Sequence, residues 1–383
     1  MSSLTFTNAQ IVTPGGLIAG ELTCEGETIT HVGAGDGGER VIDAEGGYLL
    51  PGFIDTQVNG GGGVLFNDET TVDGIAAIGK AHRTYGTTGY LPTLISDELE
   101  VIDAAMRAVE AAIEQGVPGV LGIHIEGPFI SKDRKGIHNP ELFRTLDAES
   151  KALLKSLKRG KTLVTLAPER CTPDDIRELA EAGVIIAAGH TNATYAQMVE
   201  GLDAGVTGFT HLFNAMSPML HRAPGVVGAA LESRTAWCGL IMDGHHVDWP
   251  VLRVALHTRP ADRYMLVTDA MPTVGSKTKT FTLNGQAIHV ENGVCVGPDG
   301  TLAGSDLDMA TAVKYCVEHA HASIGDAAIM AAHAPAAFLG LQAERGSLVA
   351  GQRADIVWLD DGLNIKGTFI GAGTETTALP LSA

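Results

Sequence analysis

Apolar and polar positions change their spacing at two points along the chain. Over residues 4–48, short apolar and β-branched runs at 4–8, 10–13, 20–26, 28–32 and 40–43 are separated by Gly, Pro and Asn turn signals, which leaves no room for a crossover helix. Residues 346–359 read the same way. Neither terminal segment has enough strands to bury a face alone, so residues 1–48 and 344–383 are expected to meet in one small β-sandwich.

Between them the pattern is different. Near-continuous apolar runs at 49–57, 87–94, 119–125, 162–167, 184–188, 206–210, 237–242 and 264–268 alternate with helical patterns such as 72–85, 98–115, 148–158, 172–182 and 195–204. Thr172 followed by Pro173 supplies a helix N-cap with proline at the first helical position. Eight apolar strands alternating with helices predict a parallel sheet covered on both faces, an α/β fold whose simplest form is a (β/α)8 TIM-like barrel over residues 49–343. Asn284-Gly285 and Asn292-Gly293 mark tight hairpins, so residues 279–302 are expected to form a β insertion on the rim. Helices over 307–320 and 326–339 follow.

Four of the predicted strands end on a residue that can do chemistry. The run at 120–125 closes on Glu126, the next two close on His190 and His211, and the last closes on Asp269. Taken singly, a strand-end histidine is as well explained by a structural hydrogen bond, and an aspartate before a helix by an N-cap. On one barrel the four ends converge at the C-terminal rim, where such folds carry their active sites. One carboxylate and two neutral imidazoles suit a divalent metal: Zn2+ or Fe2+ first, with Co2+ or Mn2+ also accommodated, and a coordination position open to water. A metal would bring that water's pKa down toward about 7. Asp269 is placed to take its proton as general base and to return it as general acid. His124 shares the face of Glu126 two residues deeper in the barrel, where a buried hydrogen-bonded role is expected.

Composition narrows the partners. The 383 residues carry a formal net charge of -19, which argues against nucleic acid; an anionic small substrate would need a local cationic cluster. Five cysteines without a Cys-x-x-Cys pair fit a reducing, cytoplasmic compartment. No leader pattern occurs in the first residues and no apolar run approaches ~18 residues, so neither export nor a membrane span is expected.

The stretches 51–60, 124–129, 189–193, 210–216, 243–247 and 267–270 together resemble the N-acetylglucosamine-6-phosphate deacetylase family of the amidohydrolase superfamily, along the whole chain. The resemblance implies hydrolysis of the acetamide of N-acetyl-D-glucosamine 6-phosphate to acetate and glucosamine 6-phosphate. It makes Glu126, His190 and His211 the metal ligands and Asp269 the proton carrier. His138, in the loop 127–140, becomes a substrate-binding and catalytic group that polarises the acetamide carbonyl, and Ile137 beside it a further substrate contact. Asn214, Ala215, Leu302, Ala303 and Gly304 become sugar or phosphate contacts. Arg222 and His246 supply phosphate-binding charge, with Arg222 reaching across a homodimer interface. Where the superfamily usually has His-x-His after strand one, this chain has Gln57-Val58-Asn59, and Pro168-Glu169 stands where a bridging lysine would follow strand four, so one metal ion per chain is expected. The alternative is another amidohydrolase, such as a deaminase, dihydroorotase or N-acyl amino acid deacylase, with the same site and a different substrate.

Overall fold

The computed structural model describes residues 3–33 and 38–377; residues 1–2, 34–37 and 378–383 of the expected terminal sandwich lie outside the described residues. Eight parallel strands form the central sheet in chain order: Phe53–Val58, Thr87–Ile95, Gly122–Glu126, Lys161–Leu166, Ile185–Ala188, Gly208–Phe209, Trp237–Ile241 and Tyr264–Val267. Strand one meets strand eight. The Asp269 N–H donates to Gln57 O at 3.0 Å and the Asn59 N–H to Ala270 O at 2.9 Å, so the sheet closes into a barrel. A buried carboxylate sits in this seam: Asp55 accepts from Thr268 Oγ1 at 2.5 Å and from the Gln57 N–H at 3.1 Å.

The strands of the barrel are buried along almost their whole length, as expected for a sheet with helices outside and packed side chains inside. Helices over Val72–Arg83, Leu99–Glu114, Pro173–Glu181 and Tyr195–Ala204 lie within two residues of their predicted bounds. Thr172 and Asp175 form a reciprocal capping box, which fixes the start of the third of these. The helix expected over 148–158 stops at Leu154. The one expected over 326–339 spans Ile324–Phe338 with a π-helical turn at Ile329–His333, where Pro335 has no N–H to continue the regular ladder.

The run at 49–57 is two strands. Tyr48–Pro51 joins the terminal sheet and Phe53–Val58 begins the barrel, with Gly52 between them. A side chain at Gly52 would put its Cβ 2.2 Å from Thr88 Oγ1, so the chain can pass from one sheet to the other only without one. The terminal sheet is built from both ends. Ser3–Thr13 pairs antiparallel with Gly16–Glu25 and parallel with Arg40–Asp43 and Tyr48–Pro51, and the last of these pairs antiparallel with Ile356–Leu359. Phe6, Ile11, Leu22, Leu49, Ile356 and Phe369 fill its own apolar core.

The insertion after strand eight is a four-stranded antiparallel sheet of Thr280–Leu283, Gln286–Glu291, Val294–Val296 and Leu302–Ser305. Asn284 and Asn292 both have φ of 50°, the left-handed geometry that Asn-Gly hairpin turns require. No helix among the described residues is long and apolar enough to cross a membrane.

Candidate metal centre

Glu126 is the last residue of strand three, while His190, His211 and Asp269 each lie two residues past the end of their strand. These three have φ of 47°, 31° and 53°. That left-handed bend is uncommon for residues other than glycine, with His and Asp among those that tolerate it best. It ends each strand abruptly, and the sixth, expected over 206–210, is only Gly208–Phe209.

The result is a tight cluster. His211 Nε2 lies 3.0 Å from Glu126 Oε1 and 3.1 Å from His190 Nε2, and His190 Nε2 lies 3.3 Å from the same carboxylate oxygen. The His190 Nδ1 atom is 2.8 Å from the Arg134 carbonyl, which can only accept, so Nδ1 carries the proton and Nε2 presents a lone pair to the centre. Lone pairs and a carboxylate at these separations repel unless a positive charge lies among them. Ligand atoms about 2.0–2.2 Å from a tetrahedral divalent ion are themselves about 3.3–3.6 Å apart, so the three donors need part only slightly to hold such an ion. Burial opposes charge on both Glu126 and His211. Even so, the two imidazoles beside it hold Glu126 well below the usual carboxylate range, and the Glu126 contact raises His211. The site is built to hold positive charge.

Two amides flank it. Gln57 Nε2 donates to Glu126 Oε1 and Asp269 Oδ1, both at 3.1 Å, and Asn59 Nδ2 donates to Asp269 Oδ1 at 2.7 Å. N–H groups therefore face the carboxylates where a second cation would have to bind. Past strand four, Glu169 accepts from Thr191 Oγ1 and from the Asn192 N–H, both at 2.6 Å, and so braces the segment that carries His190. Burial and the nearby Glu126 charge push Asp269 up to about 6, against the Asn59 hydrogen bond. His124 is a buried structural histidine: Nδ1 donates to Thr56 O at 3.0 Å, Nε2 accepts from Thr165 Oγ1 at 2.7 Å, and burial lowers its pKa to about 4.

A cavity of about 430 Å³ opens over this centre. Its walls include Ile137, His138, Asn214, Ala215, His246, Leu302 and Gly304, all named from the sequence. Ala303 lies between two of them with its side chain fully buried in the insertion's core, so only its main chain is available to a ligand. Arg222 is exposed and is not part of the wall of this cavity.

Several residues of the site gave no sequence signal of their own. Lys132, Arg134 and Lys135, in the loop after strand three, line the cavity and give it the local positive charge that the acidic chain otherwise lacks. Asp243 accepts from His246 Nδ1 at 2.6 Å and from the His245 and His246 N–H groups at 2.8 and 2.9 Å, which fixes the His246 ring. Burial raises the Asp243 pKa, but the His246 interactions outweigh it and the carboxyl is held low. Ser96, just past strand two, contacts His138 Nδ1 through its hydroxyl at 2.8 Å.

A closed parallel barrel with a Glu-His-His cluster and a strand-eight aspartate at its rim defines the class of metal-dependent barrel hydrolases. Residues 48–375 match the model of the Amidohydrolase family, and the chain belongs to that family. It is 41% identical over 324 residues to an N-acetylgalactosamine-6-phosphate deacetylase of Shewanella sp. (strain ANA-3), covering 85% of this chain and 82% of that one. It is 34% identical over 336 residues to an N-acetylglucosamine-6-phosphate deacetylase of Haemophilus influenzae, covering 87% and 88% of the two chains. The crystal structure of an N-acetylglucosamine-6-phosphate deacetylase from Pasteurella multocida superimposes with a TM-score of 0.94 at 33% identity, covering 98% of this chain and all of that one.

Proposed function

We propose that the chain hydrolyses the acetamide of an N-acetylhexosamine 6-phosphate, releasing acetate and the amino-sugar phosphate. The observation that carries the reaction type is the Glu126-His190-His211 cluster beside Asp269 in one cavity. The activities of the relatives carry the substrate. One divalent ion, Zn2+ in the first instance, held by Glu126, His190 and His211 would supply Lewis acidity and an acidified water.

The chain's own groups then have separate tasks. Both flanking amides bond Asp269 Oδ1, which leaves Oδ2 to take the proton released as the new C–O bond forms. The same carboxyl returns it to the nitrogen as the C–N bond breaks, so the leaving group departs as a neutral amine. His138 donates to the carbonyl oxygen as negative charge builds there. Asn214, Ala215, Leu302, Gly304 and the Ala303 main chain hold the sugar. His246 and, from a neighbouring subunit, Arg222 hold the phosphate. Met219 and Leu220 are 56% and 57% exposed in the segment that carries Arg222, which favours a homodimer through this face. Free cysteines throughout fit a cytoplasmic enzyme.

The sequence motifs imply the gluco epimer as substrate. The higher identity to a galactosamine-6-phosphate enzyme, 41% against 34%, favours the galacto epimer as a second reading. Acetate release from both N-acetylhexosamine 6-phosphates, with and without a chelator, tests the proposal. Turnover that is abolished by the chelator is expected, and the better epimer by kcat/KM decides between the two readings. Equal turnover of the unphosphorylated sugars would remove the phosphate-binding role of His246 and Arg222.

A further inference from the structure

We infer that Ser96 is a positioning residue that fixes the tautomer of His138, so that His138 faces the substrate as an Nε2–H donor. The inference rests on the proposed amide hydrolysis for its consequence and on hydrogen-bond geometry for its substance. The Ser96 main-chain N–H, which can only donate, lies 3.3 Å from His138 Nδ1, and the Ser96 hydroxyl lies 2.8 Å from the same atom. A nitrogen that accepts from a main-chain N–H carries no proton of its own. In a neutral imidazole the proton is then on Nε2.

The surroundings keep the ring in place. His138 is 3% exposed. Its ring packs at 4.4 Å between centroids from that of His190. The loop that carries it is tied down on both sides, since the Ser131 N–H donates to His190 O at 2.9 Å and Asn284 Nδ2 of the insertion donates to Ile137 O at 3.2 Å. Space for the Ser96 hydroxyl is provided by Gly127: a Cβ there would come within 2.2 Å of Ser96 Oγ.

The tautomer settles a choice that distance leaves open. Glu126, His138 and His190 can each bring a donor atom within 4.8 Å of the others, so His138 could compete with His211 as a metal ligand on proximity alone. An Nε2 that carries a proton cannot coordinate, whereas it can donate to a carbonyl oxygen. Ser96 thereby separates the two kinds of histidine in the site. His190, whose Nδ1 donates to a carbonyl, offers a lone pair, and His138, whose Nδ1 accepts, offers a proton.

The test has two arms. Long-range 1H–15N spectroscopy of the Zn2+-loaded wild-type protein should show His138 with Nδ1 unprotonated and Nε2 protonated; a proton on Nδ1 overturns the inference whatever the substrate is. In kinetics, Ser96→Ala keeps the N–H contact and loses the hydroxyl, so kcat should fall by about tenfold with KM nearly unchanged, as for an interaction that strengthens in the transition state. Ser96→Thr, which restores the hydroxyl, should recover most of the loss. Unchanged kcat in Ser96→Ala, or a loss that follows metal content or thermal midpoint, overturns the positioning role. Absence of wild-type turnover on either sugar phosphate would instead remove the proposed reaction and leave the spectroscopic arm standing.

Discussion

Asn59 donates a 2.7 Å hydrogen bond from its side-chain amide to Asp269 Oδ1, joining the end of strand one to the end of strand eight directly beside the metal cluster. With Gln57 on the same oxygen, the amides take up one face of the carboxylate and leave the other for proton transfer. A hydrogen bond to an ionised group contributes about 1.5–3 kcal/mol. Asn59→Ala should therefore lower kcat by about tenfold or more while the metal stays bound. Steady-state kinetics with metal analysis of the same sample checks this, and loss of metal in the variant would assign Asn59 to the metal site instead.

Asp269→Asn removes the proton carrier and keeps the shape. General acid–base groups of this kind contribute about 100- to 10,000-fold. A fall of that size in kcat with one equivalent of metal retained is expected. Residual activity near the wild-type level would mean that another group moves the proton.

Metal content follows from the same amides. Because Gln57 and Asn59 turn N–H groups toward Glu126 and Asp269, they occupy with donors the place where a second ion would need acceptors. Purified protein should hold one divalent ion per chain. Its removal by a chelator should abolish turnover and lower the thermal midpoint, since Glu126, His190 and His211 then face one another without the charge that reconciles them. Two tightly held equivalents per chain would contradict this account.

The parts of the site that were legible in the sequence are those where chemistry interrupts a pattern. Glu126, His190, His211 and Asp269 stand out because each is a polar residue at the end of an apolar run. The barrel was legible for the same reason, since eight runs alternating with helices leave few other arrangements. Ser96 and Asp243 were not, because a serine before a helix reads as a turn residue and an aspartate before Gly-His-His reads as a loop charge. The partner of Ser96 is set by the fold, since His138 is 42 residues away, and the bond from Asp243 to His246, three residues on, depends on the turn between them. The break at Gly52 was hidden because the apolar run continues across it while the two halves bury themselves in different sheets. Apolar patterning records that a residue is buried and not against what.

The seam carboxylate gives stability a pH dependence of definite sign. Burial pushes the Asp55 carboxyl up to about 7, with the bonds from Thr268 and Gln57 opposing it in part. In the unfolded chain it ionises at ~3.9. Between those values the folded state keeps a proton that the unfolded state has released, so this contribution to stability declines as pH rises from about 4 to about 7 and is level above. Urea unfolding of metal-loaded wild type and Asp55→Asn at about pH 5 and about pH 8 should show the wild type losing more stability across the interval, by at most about 3 kcal/mol. Parallel behaviour of the two proteins would mean that Asp55 stays ionised in the barrel.

Arg222 is exposed and lies outside the cavity wall of its own chain, while His246, held by Asp243 at 2.6 Å, lines it. If Arg222 completes the phosphate site of a partner subunit, then at sugar-phosphate concentrations well below the raised KM an Arg222→Ala chain and an inactive Asp269→Asn chain can repair one another. In a dimer of one Arg222→Ala chain and one Asp269→Asn chain, the site with an intact Asp269 receives its arginine from the other chain, and the second site lacks both groups. Random pairing makes half of the dimers mixed, each with one working site, so an equimolar co-expressed mixture should recover roughly a quarter of wild-type activity. Arg222→Ala alone should raise KM for the sugar phosphate and leave turnover of the unphosphorylated sugar unchanged, because only the phosphate contact is lost. A mixture no more active than the average of its two parents would confine Arg222 to its own chain.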